Sequence, residues 1–195
     1  LEVKNKEVLD SIKYAKRIQS AILPPDDVVR AHLEESFILY LPKDIVAGDF
    51  YWLQNQNDTL LFAVADCTGH GVPGAMVSVV CNNALNRAVK EFKLTKPSQI
   101  LDKVSEIVSQ EFVTDNSNVK DGMDIALCSL KKIVNENQTT YKLSYSGANN
   151  PLWIIKDNSE ILEFKGDRQP VGSFQNKINF NNIDIEIKKG DLIYL

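Results

Sequence analysis

The sequence predicts an α+β fold, a layered sandwich in which helices cover mainly antiparallel sheet. Two observations support this prediction. Segments with the two-residue alternation of strands lie on both sides of the middle of the chain, and the middle itself contains two amphipathic helical patterns. Grouped strands and grouped helices are typical of α+β domains, whereas a regular alternation of single strands and helices would predict a parallel sheet.

The composition excludes several classes of protein. The chain has 195 residues, 44% of them hydrophobic, and a net charge of -4, so it suits one globular domain without the basic surface that nucleic acid requires. No apolar run approaches the ~20 residues of a membrane span, and the first residues contain no apolar signal core. The three cysteines form no CxxC pair, which predicts reduced thiols in a cytoplasmic protein.

Residues 1–22 are predicted to form one helix with a narrow apolar stripe. Apolar residues recur every seven positions, at Leu1, Val8, Ala15 and Ile22. Two prolines, Pro24 and Pro25, end the helix. We therefore divide the chain into a linker or regulatory helix, residues 1–25, and a domain, residues 26–195. Two interpretations of the stripe stay open: it packs on its own domain, or it forms a coiled-coil seam with a second copy or an upstream sensory domain.

The remaining elements follow in order. Strands are predicted at residues 36–42, 45–53 and 59–66. Helices are predicted from about Pro73 to Phe92 and over residues 96–112, the second with Ser98 as its N-cap. Strands return at residues 123–134 and 139–147, which a short turn joins as a hairpin, then at 149–156, 159–165 and 182–188, and the last residues, to Leu195, have the pattern of a strand.

The strongest chemical signal is the stretch TLLFAVADCTGHGVPGAM, in which an apolar strand leads to Asp66 and then to a glycine-rich turn. One interpretation is structural: Asp66 caps the following turn or helix. The other is functional: the carboxylate binds a cation, and the glycines let a backbone carbonyl approach it. Asp49, beside a glycine in a neighbouring strand, favours the second, because two close carboxylates repel unless a proton or a metal lies between them.

The ligand types indicate which metal such a site would hold. Oxygen-only ligation favours a hard cation such as Mg²⁺ or Mn²⁺. Zinc is disfavoured, because His70 and Cys67 have no further histidine near them in the sequence. A Cys67–His70 nucleophilic pair has no orienting third residue. His70 is either a hydrogen-bonding residue that fixes the turn or a catalyst.

Five segments, in this order, resemble the stage II sporulation protein E-type serine phosphatases, the bacterial branch of the metal-dependent protein phosphatases. They are AGDFYW, ADCTGHGVPGAM, DGMDIALCSL, SGANNPLW and KKGDLIYL. The resemblance covers nearly the whole chain. It implies a four-layer α-β-β-α sandwich with a centre for two Mn²⁺ or Mg²⁺ ions between the sheets, and a chain that is incomplete at its C-terminal end, where the family has two further metal-binding aspartates.

The resemblance also implies roles for particular residues. Asp66 matches the acid that bridges both metals, Cys67 would offer its backbone carbonyl, and Asp49 matches the acid of the Gly-Asp motif. A catalytic His70 would orient a water or protonate the leaving group. Asp124 receives no role. The implied substrate is a phosphoserine on a regulatory protein of the anti-sigma-factor antagonist type, hydrolysed by metal-activated water. The alternative is a non-catalytic module that retains the phosphatase fold for interaction or dimerisation. Without the two further acids, weak metal binding and no activity are expected.

Overall fold

The computed structural model describes residues 2–112, 121–135, 138–157, 159–172 and 177–195. The helices are α1 (Glu2–Ser20), α2 (Asp26–His32), α3 (Gly71–Lys90) and α4 (Pro97–Glu111). The strands are β1 (Phe50–Gln56), β2 (Thr59–Cys67), β3 (Gly122–Asn135), β4 (Gln138–Ala148), β5 (Leu152–Ile155), β6 (Ile161–Phe164), β7 (Val171–Gly172), β8 (Ile183–Ile187) and β9 (Leu192–Tyr194).

The strands form two antiparallel sheets. The first sheet has the order β1-β2-β3-β4-β8, and β7 pairs with the start of β3. The second sheet has the order β6-β5-β9. The β3–β4 pairing runs from Ile125↔Ala148 to Asn135↔Gln138, so these strands form the predicted hairpin, although the two residues at its tip lie outside the described part of the chain.

Two cores separate three layers. The larger core lies between the first sheet and the helices, where side chains of α3 and α4 pack on inward residues of β1, β2 and β3, among them Leu85, Val104, Trp52, Leu61 and Leu127. The smaller core lies between the two sheets and includes Tyr145, Leu143, Leu152 and Ile154. Successive residues of a strand face opposite sides of its sheet, so β2 contributes Ala63 and Ala65 to the helical side and Phe62 and Val64 to the second sheet.

Most of the predicted elements are present, and three details are wrong. Residues 36–42 form no strand, and Phe37, Leu39 and Leu41 are exposed. β1 begins at Phe50 rather than at residue 45. The N-cap of α4 is Lys96, with Pro97 in the first turn, and Ser98 is buried. The first two differences have one cause: β1 is the edge strand of its sheet, and strand-like residues form a strand only where a partner backbone is available.

The described elements supply three of the four predicted layers: helices α3 and α4, the first sheet and the second sheet. The second sheet turns Trp153, Leu192 and Tyr194 outward, and all three are exposed. Among the described residues, no helix has the length and apolarity to cross a membrane. All three cysteines are free thiols and are buried.

The apolar stripe of the N-terminal helix is uncovered at Val8 and partly covered nearer its C-terminal end. Val8 is 58% exposed, and Ile18 beside the stripe is 53% exposed, while Ala15 and Ile22 are half-buried. The stripe therefore packs on its own domain only in part. The division of the chain at residue 25 remains a prediction, although α1 ends at Ser20 and α2 begins directly after Pro25.

Candidate metal centre

The two predicted acids, Asp49 and Asp66, face each other at the end of the β1–β2 pair. The register pairs Phe50 with Ala65, so continuing it by one residue places Asp49 opposite Asp66. Asp49 lies just before β1, not inside a strand as predicted, and both side chains are exposed. Because Ala65 and Cys67 face the helices, Asp66 projects from the other side of the sheet, toward the second sheet.

The electrostatics of this pair are unfavourable without a cation. Partial burial raises the pKa of Asp66, and a hydrogen bond with the Asp49 carboxyl group and the negative charge of that group raise it further. A hydrogen bond between two carboxyl groups requires a proton on one of them, and two ionised carboxylates in contact would repel each other. Within the described residues, neither acid has a salt bridge to lysine or arginine. A cation would therefore relieve the repulsion.

The glycines around Asp66 let three backbone segments meet. A Cβ atom on Gly48 would lie 2.8 Å from the carbonyl oxygen of Gly69 and 3.0 Å from that of Cys67. A Cβ atom on Gly74 would lie 2.5 Å from the same Gly69 oxygen. Gly69 and Gly71 also have positive φ angles, 88° and 61°, which glycine adopts without strain. The glycines thus bring the Cys67 carbonyl oxygen beside Gly48, the residue before Asp49.

The structure does not support the capping interpretation of Asp66. Helix α3 begins at Gly71, its N-cap is His70, and no side chain forms a hydrogen bond as its cap. His70 instead contacts Asp44, with 3.2 Å between His70 Nδ1 and Asp44 Oδ2, and the imidazole is largely exposed. This contact favours the turn-fixing interpretation of His70, because it ties the glycine-rich turn to residue 44 of the preceding segment.

The Cys67–His70 nucleophilic pair is also not supported. The Cys67 thiol is buried on the helical side of the sheet, away from the exposed imidazole. A hydrogen bond with the Cys81 thiol, followed by burial, raises the pKa of the Cys67 thiol. A buried thiol held in its neutral form is a poor nucleophile. Cys67 can contribute its backbone oxygen to the site but not its sulfur.

A third acid lies in the same row. β2 and β3 pair Asp66 with Asp124, so both side chains leave the same face of the sheet. Asn149 donates a hydrogen bond from Nδ2 to Asp124 Oδ1 at 2.7 Å. Sequence reasoning gave Asp124 no role, because its position opposite Asp66 depends on the β2–β3 register. Strand pairing between residues far apart in sequence is the signal that would have been needed.

The donor set fits a hard cation in part. Asp49, Asp66 and the Cys67 carbonyl offer only oxygen, which Mg²⁺ and Mn²⁺ prefer. Across the described ranges, no group of three or more His, Cys, Asp or Glu side chains is close enough to hold a metal ion. The described acids are therefore a pair with an adjacent carbonyl, and water or further ligands would have to complete the coordination shell.

Comparison with known proteins decides the family. Residues 56–195 match the family model described as Stage II sporulation protein E (SpoIIE). The chain belongs to the SpoIIE family. This SpoIIE chain is 25% identical over 194 residues to the phosphoserine phosphatase RsbU of Bacillus subtilis (strain 168), an alignment that covers 97% of the chain and 52% of RsbU. The chain thus spans about half the length of the curated relative it matches.

Solved structures support the same family. The SiaA-PP2C domain of Pseudomonas aeruginosa has a TM-score of 0.81 and 31% identity, covering 99% of this chain and 72% of that chain. The RsbU and RsbW domains of Rv1364c from Mycobacterium tuberculosis give a TM-score of 0.60 at 20% identity, covering 78% and 39%, which shows the fold alone. The predicted family and fold class are confirmed: the chain is a SpoIIE-family domain whose fold is similar to that of a solved PP2C domain.

Proposed function

We propose that this SpoIIE chain carries part of the active site of a metal-dependent protein serine/threonine phosphatase. The observation that carries the proposal is the carboxylate pair of Asp49 and Asp66, which no lysine or arginine among the described residues neutralises. The name of the relative RsbU, a phosphoserine phosphatase, supports phosphoserine as the substrate. Asp49, Asp66 and the Cys67 carbonyl are the proposed ligands of Mn²⁺ or Mg²⁺.

The protein's own groups would act by position and charge. Bound divalent ions would supply an activated water and neutralise charge on the phosphoryl oxygens. Asp66, near the end of the interior strand β2, would contribute one carboxylate to the bound ions, and Asp49, just before the edge strand β1, would contribute another. The N-terminus of α3, directly after the glycine-rich turn, adds a modest attraction for the phosphate. No covalent enzyme intermediate is required, in agreement with the buried Cys67 thiol.

We propose that the substrate is a phosphorylated regulatory protein of the anti-sigma-factor antagonist type, dephosphorylated in the cytoplasm. RsbU supports this proposal through the family relationship, and the three buried thiols agree with a reducing compartment. The exposed part of the α1 stripe supports a further partner, either a second copy of the chain or an upstream sensory domain. Sedimentation of the chain with and without residues 1–22 tests the dimer, which must dissociate when the helix is removed.

A non-catalytic interaction module is the second candidate. The observation that favours it is the small number of acids: the described residues provide a pair of ligands rather than a full set. Such a module would keep the fold and the exposed helix α1 but would not hydrolyse phosphoserine at any metal concentration.

One experiment separates the two candidates. Phosphate release from a phosphoserine protein is measured on the chain extended beyond Leu195 by the segment that the family resemblance implies, with Mn²⁺ and with a chelator. The phosphatase proposal requires turnover that disappears with the chelator and in Asp66→Asn. Turnover that persists with the chelator would contradict the metal mechanism, and no turnover at saturating Mn²⁺ would favour the interaction module.

A further inference from the structure

The turn at residues 167–169 lies beside the end of β4, next to the row of acids. The Asp167 carbonyl oxygen accepts the Asn149 N–H at 2.8 Å. The Asn149 side chain in turn binds Asp124, which pairs with Asp66 across β2 and β3. From this turn the chain continues to β7, which pairs with the start of β3, so it passes the strand end that carries Asp124.

Side-chain hydrogen bonds on both sides fix the backbone of this turn. The Gln169 N–H donates to the Asp167 carbonyl oxygen at 2.8 Å, which makes a three-residue turn with Arg168 at its apex. The Asp167 carboxylate accepts two bonds from Asn181, at 2.7 and 2.6 Å. The buried Gln169 amide donates to the Ile178 carbonyl oxygen at 2.8 Å and accepts the Ile178 N–H at 3.1 Å. Both neighbours of Arg168 are thereby held, while Arg168 itself is exposed.

The guanidinium at this fixed position has no partner. Arg168 forms no salt bridge and no side-chain hydrogen bond with the part of the chain that the structure describes. Arg87 on α3, in contrast, pairs with both Glu91 and Glu111. A guanidinium presents its N–H donors as a rigid planar fork. A free fork on a well-held turn, beside acids that are proposed to bind cations, is suited to an anionic ligand.

The charges around the turn indicate which anion it binds. Asp49, Asp66 and Asp124 would repel an anion, so an anion binds here only together with the cations that these acids hold. A phosphoryl group meets this condition, and an arginine binds two of its oxygens through parallel N–H bonds. Neighbouring strands lie about 4.8 Å apart, and the turn lies about two strand spacings from Asp66. A long side chain such as that of Arg168 spans part of this distance.

We propose that Arg168 binds the phosphoryl oxygens of the substrate and is a substrate-binding residue of the phosphatase site. Its guanidinium donates N–H bonds to the phosphoryl group from the β4 side, while the cations hold the same group from the side of Asp49 and Asp66. Because the contact is with the phosphoryl group, it should favour every phosphate monoester and not only the phosphoserine protein. This inference rests on the proposed function and adds to it the residue that recognises the phosphoryl group.

Variants of Arg168 and of a nearby lysine test this contact at saturating Mn²⁺ in the chain extended beyond Leu195. Arg168→Ala removes the guanidinium, and Arg168→Lys keeps the charge but loses the paired donors. Lys165→Ala is the matched control, because Lys165 is an exposed cation of the same loop whose acidic partner, Glu163, lies 4.0 Å away. The measurements are kcat and KM for a phosphoserine protein and for phenyl phosphate, the inhibition constant of inorganic phosphate, and the unfolding midpoint.

The phosphoryl contact predicts parallel losses in Arg168→Ala. The KM values for both substrates and the inhibition constant of inorganic phosphate should rise by about tenfold or more, as expected for losing charge-assisted hydrogen bonds. Arg168→Lys should lie between Arg168→Ala and the wild type, and Lys165→Ala should stay within about twofold of the wild type. The unfolding midpoint of Arg168→Ala should equal that of the wild type, because the guanidinium has no partner within the described residues.

Other results would overturn the inference. An effect on the phosphoserine protein alone, with phenyl phosphate and inorganic phosphate unchanged, would reject the phosphoryl contact in favour of a contact with the substrate's protein surface. Equal losses in Lys165→Ala would show only a general attraction of anions. A lower unfolding midpoint in Arg168→Ala with unchanged KM values would show a structural role.

The proposed function and the Arg168 contact fail in different ways. If the extended wild-type chain hydrolyses neither substrate, the proposed function is rejected, and calorimetry of inorganic phosphate with the Mn²⁺-loaded chain decides the contact. Phosphate binding that Arg168→Ala weakens by about tenfold or more would support the contact without the activity. Phosphate binding that is absent, or equal in wild type and variant, would reject the contact as well.

Discussion

Two of the three Gly-Asp pairs in the chain directly precede strands, β1 and β9, and their aspartates have opposite environments. Asp49 follows Gly48, faces Asp66 and has no lysine or arginine partner among the described residues. Asp191 follows Gly190 and accepts three hydrogen bonds: from Lys156 Nζ at 2.8 Å, from the Lys188 N–H at 2.9 Å and from the Asp157 N–H at 3.2 Å. Its side chain is only 4% exposed.

The two environments shift carboxyl pKa values in opposite directions. Lys156, with help from the two backbone donors, lowers the pKa of Asp191. Burial and the Asp49 carboxyl group raise the pKa of Asp66. Asp191 therefore stabilises the turn between β8 and β9, which joins the two sheets. The carboxyl groups of Asp49 and Asp66 instead repel each other, and a bound cation would reduce this repulsion. The same dipeptide thus marks a structural site in one place and a candidate metal site in the other.

The largest expected effect is the loss of metal binding in Asp66→Asn. We expect the Mn²⁺ affinity measured by calorimetry to fall more than about 100-fold, because even outer partners of metal ligands are worth about 10–100-fold. Asp191→Asn is the matched control, and its Mn²⁺ affinity should stay within about twofold of wild type because the two sites share no contacts. Equal losses in both variants would remove the distinction between the two sites.

Gly48→Ala should damage both the fold and the metal site. The new Cβ atom would lie 2.8 Å from the Gly69 carbonyl oxygen, and backbone atoms cannot move aside cheaply, so the cost should be about 1–3 kcal/mol of stability. The displaced Asp49 should also weaken Mn²⁺ binding. Gly69→Ala is the control, since its Cβ atom meets nothing nearer than 3.7 Å; it should be less stable but should bind Mn²⁺ almost normally.

Asp191→Asn should destabilise the domain by about 2 kcal/mol, since it removes a charged acceptor from Lys156 and two backbone donors. The lowered pKa of Asp191 sets the pH dependence: its stabilisation is present above the usual carboxyl pKa of about 4 and is lost as the pH falls through the lowered value. Urea unfolding should therefore show a difference in the free energy of unfolding between the wild type and Asp191→Asn at pH 7, and this difference should become smaller in acid. A difference that becomes larger in acid would contradict this assignment.

Asp66→Asn should have the opposite pH dependence in the absence of metal. The raised pKa of Asp66 means that the contribution of this group to stability is fully present below the ordinary carboxyl pKa of about 4 and is lost as the pH rises through the raised value. The variant avoids this loss, so its metal-free unfolding midpoint at pH 7 should exceed that of the wild type by a few degrees at most, because solvent screens the exposed pair. A lower midpoint at pH 7 would show that Asp66 is structural.

The smallest expected effect is that of His70→Ala. Its exposed contact with Asp44 is worth at most about 1 kcal/mol, and Asp44→Asn should cause the same small loss of stability. If His70 only fixes the turn, both variants lose activity to the same slight extent. A drop in turnover in His70→Ala alone, with stability unchanged, would instead support proton donation to the leaving group.

The predictability of the fold depended on how local the signal was. Helices α3 and α4 were predicted to within a few residues, because the spacing of apolar residues within each segment is enough to predict an amphipathic helix. Residues 36–42 have the composition of a strand as clear as that of β2, yet they form none. A strand depends on the backbone beside it, and composition does not contain that information.

The same limit applies to the site. Asp49 and Asp66 were selected as acids near glycines in apolar segments, and the Cys67 carbonyl was implied by the family resemblance. Their role as metal ligands remains a prediction. Asp124 and Gln19 were not selected. Asp124 lies opposite Asp66 only because of the β2–β3 register. In the sequence, Gln19 is an ordinary polar residue of a helix, and only the structure shows its hydrogen bond with Ala47.

By itself, the sequence determined the α+β class, most of the elements and the acids worth considering, because apolar periodicity and glycine placement act within short segments, and its five motif segments carried the resemblance to the family. Only the tertiary structure decided which Gly-Asp pair is neutralised and which is not, and which residue of α1 contacts the segment before Asp49. Those outcomes depend on Coulomb interactions and hydrogen bonds whose strength falls with distance in space, and the partners that supply them lie tens of residues away along the chain.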